Sequence, residues 1–362
     1  MSGSTEPEPT AIPPVSLKDY EADFEGFSRR LGESFERFGF AVVSDHGLPD
    51  ELVAGCLERT RAFFALPEAV KRRYVIEGGA GQRGYTPFGV ETAKGAAHHD
   101  LKAFWHVGRE LPPGHRYRGL VEGNVWPGEI EGFRAYAGGL YDGLDALGLR
   151  LLRAIARHLG LNDDFFAPTV KDSDSILRLL YYPPLDHDGF GLNQSKTMNV
   201  IDSKGLERVA GGKPLRTFPQ PALTTEVAAD ADADSLRAGP HEDINAITLL
   251  LGAEEAGLEL LDAGGRWLAV NPPRGSVVVN IGDMLQRLTN HVLPSTTHRV
   301  VNPEPRRRGI ARYSTPFFLH FAPDYRIETL PGCIGPDRPN RYPQAITSRD
   351  YLLQRLREIK LG

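Results

Sequence analysis

Two histidines and one acidic residue in the second half of the chain have the types and spacing of metal ligands. His241 and Asp243 are separated by one residue, so on a strand they would point to the same face. His298 follows Asp243 by 55 residues, and strands returning on the other side of a small barrel could bring it beside them. Two imidazoles and one carboxylate on one side of an iron leave three positions open for reactants, but zinc hydrolases can share such ligands. An HxD pair also arises by chance, as His98-His99-Asp100 shows.

A second pair of residues suggests a site for a carboxylate. Arg312 and Ser314 also stand at i and i+2 on a predicted strand, with Arg312 14 residues after His298. An arginine inside a barrel is costly unless its donors are used, so an inward guanidinium implies a bound carboxylate. A dicarboxylate co-substrate could span from this arginine to the metal. A structural salt bridge or an outward-facing pair is the alternative, and Arg274-Gly275-Ser276 shows that the RxS spacing also occurs by accident.

The elements that must position these residues divide into a helical front half and a strand-rich back half. Apolar residues at helical spacing predict one helix from Tyr20 to Phe38 and a long helix from Phe133 to Leu159, with Gly160 as its C-terminal cap. After Ser175 the period changes to short runs separated by turn residues, which indicates a β-sandwich or barrel. The seven predicted strands span residues 176–182, 246–251, 257–261, 267–270, 276–281, 298–301 and 309–321.

Three segments are assigned to loops or loose chain. Residues 1–14 are polar and proline-rich and are predicted to form a flexible N-terminal arm. Residues 185–240 form a 56-residue stretch without a periodic pattern, interpreted as an insertion. Because loops beyond about 12–15 residues are uncommon unless functional or disordered, it is either a lid beside the site or a surface excursion. Asn280 and Asp283 are interpreted as turn formers after a buried strand.

Composition excludes several classes of protein. The 362 residues have a net charge of −5 and a pI near 6.1, which argues against nucleic acid as a partner. No apolar run approaches the roughly 20 residues of a membrane span, and the polar N-terminus does not resemble a signal peptide. Cys56 and Cys333 are far apart and lack CxxC spacing. A cytoplasmic protein with a small-molecule substrate is expected, and its oligomeric state is left open.

Taken in order, these residues resemble the isopenicillin N synthase-like family of Fe(II)/2-oxoglutarate-dependent oxygenases. The similarity covers nearly the whole chain and lies in motifs of both halves. The segments that carry it are RFGFAVVSDHGLP, RAFFALPEAVKRRY, GQRGYTPFGVE, DLKAFWHVGRE, LRLLYYPP, GPHEDINAITLLL, VVVNIGDMLQRLTN, HVLPSTTHRVVNP and ARYSTPFFL.

The resemblance implies an α+β fold with a double-stranded β-helix, or jelly-roll, core and flanking helices. After the arm, it implies a helical N-terminal region over residues 15–170. The jelly-roll core would follow over 171–330 with the insertion inside it, and a C-terminal tail and helix would occupy 331–362.

It also implies roles for the site residues. His241, Asp243 and His298 would bind Fe(II), and Arg312 and Ser314 would hold the distal carboxylate of 2-oxoglutarate.

One further motif is matched only in part. Relatives resembling the plant enzymes often carry Asn-x-Tyr before a Pro pair, and both residues help to hold the co-substrate. Tyr182 matches that tyrosine, whereas Leu180 stands where the asparagine would be.

The implied activity is oxidation of a C–H bond of a small organic substrate with O2, releasing succinate and CO2. Hydroxylation, desaturation and ring closure are all compatible with it. A second hypothesis is an oxidase that does not use 2-oxoglutarate, in which Arg312 and Ser314 bind the substrate's own carboxylate. The presence of Leu180 in place of the asparagine is the reason to retain this hypothesis. A third is a metal-dependent binding protein without catalysis. By family analogy the segment DLKAFWHVGRE would line the mouth of the site, where Lys102 or Arg109 could meet an anionic group of the substrate. Both residues are equally plausible as solvated surface charges.

Overall fold

Two β-sheets face each other in the computed structural model, and helices pack on the outer side of the larger sheet. The structure describes residues 9–10, 12–79, 81–90, 102–121, 123–184, 237–251, 257–302 and 309–358. The helices are α1 (Lys18–Ala22), α2 (Phe24–Phe38), α3 (Asp50–Phe64), α4 (Glu68–Lys71), α5 (Phe133–His158), α6 (Ala167–Val170), α7 (Asp283–Leu288) and α8 (Ser348–Glu358).

The strands come from both halves of the chain. They are β1 (Pro9–Thr10), β2 (Pro14–Ser16), β3 (Phe40–Ser44), β4 (Gly84–Thr86), β5 (Ala103–Gly108), β6 (Ile176–Tyr182), β7 (Ala238–His241), β8 (Ile247–Leu251), β9 (Leu258–Leu261), β10 (Trp267–Val270), β11 (Val277–Ile281), β12 (His298–Val300), β13 (Arg312–Ser314), β14 (Pro316–Leu319), β15 (Arg326–Ile327) and β16 (Ile346–Thr347).

The two sheets form the predicted jelly-roll core. The larger sheet has the order β2-β3-β11-β8-β14-β6-β5-β4, and β13 also pairs with β6. The smaller sheet has the order β1-β10-β9-β12-β7. Strands β15 and β16 form a separate antiparallel pair near the C-terminus. Along the sequence, the strands of the back half thus switch repeatedly from one sheet to the other, as a double-stranded β-helix requires.

Successive side chains on the strands of the larger sheet alternate between its two faces, and the two faces pack against different parts of the fold. On β11, Val277 and Val279 belong to the main core against the helices, whereas Val278 packs between the sheets. On β6, Leu179 faces the helices and Leu180 faces the inner side. Because successive side chains of a strand point to opposite faces, the even-numbered positions of these strands line the space between the sheets. That space contains the candidate site.

Helix boundaries follow the local signals in the sequence. The side chain of Asp23 accepts a hydrogen bond from the Gly26 amide at 2.9 Å, so Asp23 caps α2 and separates it from α1. Gly39 ends α2 in the left-handed conformation at φ +67°. The long predicted helix is α5, and Gly160 follows it with φ +70°. The single helix expected from Tyr20 to Phe38 is thus two helices.

Three boundaries need correction. The arm over residues 1–14 is not wholly loose, because Pro9–Thr10 pairs in parallel with β10, and Ile12 is buried. The insertion ends earlier than residue 240, since β7 already begins at Ala238; residues 185–236 lie outside the described part of the chain. The region over 15–170 is not only helical, because β2 to β5 complete the larger sheet.

The two expected turn residues belong to regular elements. Asn280 lies within β11, and Asp283 is the first residue of α7. The end of the strand is as predicted over 276–281, and the assignment of these two residues to a turn is wrong.

Within the described residues, no helix combines the length and apolar character needed to cross a membrane.

Candidate active site

Two histidines from neighbouring strands of the smaller sheet face each other. His241 is the last residue of β7, His298 is the first of β12, and the two are direct partners in the antiparallel register. Their ring centroids are 4.4 Å apart with an interplanar angle of 51°. Phe40 packs edge-on against the His298 ring at 5.5 Å. Adjacent strands therefore bring the two imidazoles together, and the expected approach from the other side of the barrel is wrong.

Asp243 completes the cluster from just beyond β7. Its Oδ1 lies 4.0 Å from Nε2 of His241 and 4.0 Å from Nε2 of His298. One potential ligand atom from each residue lies within 4.8 Å of the others. Asp243 has left the strand, contrary to the expectation that both residues of the HxD pair share one strand face. Its carbonyl accepts a hydrogen bond from the Asp283 amide at 2.8 Å, which fixes this turn onto the start of α7.

The other ring nitrogen of each histidine is used by the backbone. Nδ1 of His241 is 2.7 Å from the Gly239 carbonyl, and Nδ1 of His298 is 3.1 Å from the Thr296 carbonyl. A carbonyl can only accept, so each Nδ1 donates to it, and in a neutral ring this leaves the lone pair on Nε2. This arrangement orients a metal-binding imidazole in the way that outer hydrogen bonds do in known metal sites.

The protonation states suit metal binding at neutral pH. Burial, together with the neighbouring His298 and Lys102, lowers the pKa of His241 to about 4 and keeps its ring neutral. Burial alone would raise the pKa of Asp243. The adjacent imidazoles of His298 and His241, with hydrogen bonds to the carboxylate, outweigh burial and lower the pKa of Asp243. His241 thus offers a neutral nitrogen donor and Asp243 an anionic oxygen donor, and together with the imidazole of His298 this donor set fits Fe(II).

The predicted carboxylate-binding residues are buried on β13. Arg312 is 2% exposed and Ser314 is 6% exposed. Arg312 pairs in register with Tyr182 on β6, and its guanidinium carbon lies 5.2 Å from the centre of the Tyr182 ring. Ser314 pairs with Leu180, which packs with Tyr182 and Phe104 in an apolar cluster. The residue that departs from the family motif therefore lies directly opposite Ser314.

The two cations considered for the substrate differ in their surroundings. Arg109 donates to Asp145 at 2.7 Å and to the Ser173 carbonyl at 3.0 Å, so its guanidinium has a structural role beside α5. Lys102 is only 8% exposed, and its charge contributes to the low pKa of His241. Of the two, Lys102 is the one whose charge affects His241.

A polar brace joins the segments that carry the ligands. The Thr297 hydroxyl, next to His298, donates to Glu242 at 2.6 Å. Arg355 of α8 lies 3.1 Å from the Asp283 carboxylate and 4.0 Å from that of Glu242. The C-terminal helix is thereby connected to the turn that carries Asp243.

Sequence reasoning missed two polar residues at this site. Thr248 and Asn280 are buried on the inner face of the larger sheet, and both donate to Oδ2 of Asp243. The signal was present, since each is a polar residue inside an otherwise apolar strand, where a polar group needs a partner. The expectation of a turn at Asn280 came from grouping it with the residues that follow the strand.

Two known family models match the chain. Residues 12–129 match the N-terminal family model described as non-haem dioxygenase in morphine synthesis. Residues 173–321 match the model of the 2OG-Fe(II) oxygenase superfamily. The second match spans all of the candidate ligands.

Individual relatives are similar over most of their length. The chain is 30% identical to the proline hydroxylase buaE of Petromyces alliaceus, over 92% of this chain and 93% of that protein. A crystal structure of a 2OG-Fe(II) oxygenase family protein from Caulobacter crescentus is 52% identical, with a TM-score of 0.78 over 97% of this chain and 99% of that one. A Neurospora crassa protein, solved in full length with α-ketoglutarate and thymine, is 26% identical, with a TM-score of 0.75 over 96% of each chain.

Proposed function

Because the chain belongs to the 2OG-Fe(II) oxygenase superfamily, we propose that His241, Asp243 and His298 hold its iron. The protein is a non-haem Fe(II)/2-oxoglutarate-dependent dioxygenase. The observation that carries the ligand assignment is the convergence of both Nε2 atoms on one Asp243 oxygen at 4.0 Å. Each imidazole is oriented by a backbone carbonyl, so the donor atoms face one another.

We further propose that Arg312 and Ser314 bind the distal carboxylate of 2-oxoglutarate. A guanidinium presents a planar fork of donors that matches a carboxylate, and burial excludes competing water. Tyr182 lies beside the guanidinium and limits the space around it. Leu180 and Phe104 form an apolar wall next to Ser314. Because Leu180 offers no polar group from β6, binding of the co-substrate carboxylate depends more on β13 than on β6.

Bound iron, 2-oxoglutarate and O2 together supply the oxidation of a substrate C–H bond, with succinate and CO2 as products. The chain's own part is to keep its ligands fixed and the reacting space shielded. The inner faces of the two sheets provide that shielding through apolar residues such as Phe40 and Val278.

The substrate is proposed to be a small organic molecule. One relative is named as a proline hydroxylase, and another was solved in complex with thymine. Proline and thymine are both compact polar molecules.

The test is succinate formation by the full chain with Fe(II), 2-oxoglutarate and a panel of small molecules that begins with L-proline and thymine. We expect succinate in proportion to the O2 consumed, and no turnover in His241→Ala or Asp243→Ala. His291→Ala is the control, because that ring bonds to Tyr342 at 2.6 Å outside the cluster. O2 consumption without succinate would favour the oxidase, and wild-type turnover in Asp243→Ala would refute the ligand assignment.

A further inference from the structure

The two oxygens of the Asp243 carboxylate have different surroundings. Oδ1 faces the Nε2 atoms of His241 and His298. Oδ2 accepts two hydrogen bonds, one from the Thr248 hydroxyl and one from the Asn280 amide at 2.8 Å. The carboxylate thus presents one oxygen to the imidazoles, while the other is bonded to the sheet.

The two donors come from a rigid part of the fold. Thr248 on β8 and Asn280 on β11 are direct partners in register, and both strands are interior in the larger sheet. They are 3% and 4% exposed, so water does not compete for the carboxylate. Since neighbouring strands are bonded on both sides, the positions of the two donors are set by the sheet and not by a loop.

A third residue sets the direction of the hydroxyl proton. The Asn245 side-chain amide donates to Thr248 Oγ1 at 2.9 Å. Thr248 Oγ1 therefore accepts the Asn245 hydrogen bond through a lone pair and donates its own proton to Asp243 Oδ2. The chain from Asn245 through Thr248 to Asp243 therefore has one donor direction throughout.

We propose that Thr248 and Asn280 are positioning residues that reserve Oδ2 and make Asp243 a ligand through Oδ1 alone. The inference rests on the proposed metal site. A carboxylate can bind a cation through one or both of its oxygens. Two histidines and one carboxylate oxygen leave three open positions, which 2-oxoglutarate and O2 need. A second oxygen from Asp243 would occupy one of them.

The probe is Co(II), added to the full chain and followed by its visible absorption and by the dissociation constant. Thr248→Val and Asn280→Leu each remove one donor to Oδ2 at similar volume. We expect Co(II) binding to weaken by about 10- to 100-fold, the usual effect of losing an outer hydrogen bond to a ligand. We also expect 2-oxoglutarate to change the Co(II) spectrum less in the variants than in wild type. Thr248→Ser keeps the hydroxyl, so its Co(II) affinity and its spectral response to 2-oxoglutarate should both match wild type.

A matched control separates positioning from stability. Thr60 is also fully buried, and its hydroxyl donates to the Cys56 carbonyl at 2.8 Å in α3. Thr60→Val should lower the melting temperature and leave the Co(II) titration unchanged. Thermal melts of every variant identify any that fail to fold, and Asn280→Leu still decides the matter if Thr248→Val does not fold.

Asp243→Ala distinguishes failure of this inference from failure of the metal site. If Asp243→Ala binds Co(II) like wild type, the proposed metal site is wrong. If Asp243→Ala loses Co(II) while folded Thr248→Val and Asn280→Leu bind it with wild-type affinity and spectrum, the positioning role is wrong and the metal site stands.

Discussion

His298 lies directly opposite His241 in the pair formed by β7 and β12, and their ring centroids are 4.4 Å apart. His298→Ala removes one of three protein donors and should reduce Co(II) affinity by at least about 100-fold, since losing even an outer hydrogen bond to a ligand costs about 10- to 100-fold. The measurement is an equilibrium Co(II) titration of the folded variant.

His320 offers a matched control for that substitution. It is 7% exposed, like His298, and its Nδ1 is likewise 3.1 Å from the carbonyl two residues earlier. His320→Ala should reduce thermal stability to a similar extent and retain Co(II) binding. Equal loss of Co(II) in both variants would mean that the effect comes from burial and not from ligation.

Arg312→Ala should raise the half-saturation concentration for 2-oxoglutarate by about 10- to 100-fold, because a charged hydrogen bond contributes about 1.5–3 kcal/mol. The effect should also be visible in equilibrium binding of 2-oxoglutarate to the Co(II) protein. Arg266→Ala, which removes an exposed arginine paired with Asp262, should leave both values unchanged. An unaltered half-saturation in Arg312→Ala would contradict the role of β13.

Leu180→Ala tests whether the departure from the family motif affects the co-substrate. Leu180 is buried with Phe104 and Tyr182, so truncation should lower the free energy of unfolding by about 2–5 kcal/mol. Binding of 2-oxoglutarate should change far less than in Arg312→Ala. Urea unfolding and a 2-oxoglutarate titration measure the two effects, and a large loss of binding at normal stability would assign Leu180 a direct part in the site.

Arg355→Ala should affect the site from the C-terminal helix. The side chains of Arg355 and Asp283 are 18% and 6% exposed, so removal of the guanidinium leaves a buried carboxylate without its cation. We expect a loss of about 1–3 kcal/mol in stability and weaker Co(II) binding. Arg357→Ala removes an exposed arginine from the same helix and should do neither. Unchanged Co(II) affinity in Arg355→Ala would limit the brace to a role in folding.

The cysteines should be unreactive in the native state. Burial raises the pKa of Cys56 to about 12 and also raises that of Cys333, so both thiols stay protonated from pH 7 to 8. A raised pKa lowers the thiolate fraction, and the thiolate is the reacting form. A disulfide reagent should therefore modify two thiols rapidly in denaturant and slowly in the native protein. Fast reaction of the native protein at pH 8 would contradict this.

The positions of the strands were easier to predict from the sequence than the way in which they pair in the sheets. Trp267–Val270 and Ile176–Tyr182 have the bounds that the sequence predicts, because apolar and β-branched runs bounded by turn residues report local structure. That His298 neighbours His241 in one sheet depends on pairing between distant segments, which no local pattern encodes. The contribution of β5 to the larger sheet was missed for the same reason, since Ala103–Gly108 has no turn signal that dictates its partner.

The candidate ligands were predictable, and the residues that orient them were not. HxD and a later histidine are recognisable by type and spacing, and the RxS pair suggested a carboxylate site that the family resemblance narrowed to 2-oxoglutarate. Thr248, Asn280 and Arg355 act through hydrogen bonds or ion pairs whose geometry exists only after the sheets and α8 have assembled. Residue type alone does not separate them from ordinary core or surface positions.

The parallel pairing of Pro9–Thr10 with Ala269–Val270 has a practical consequence for handling the protein. This short strand covers the outer rim of the smaller sheet, where β10 would otherwise offer its amides and carbonyls to another molecule. Trimming the first dozen residues for expression would therefore invite aggregation through that rim, even though the catalytic groups are untouched.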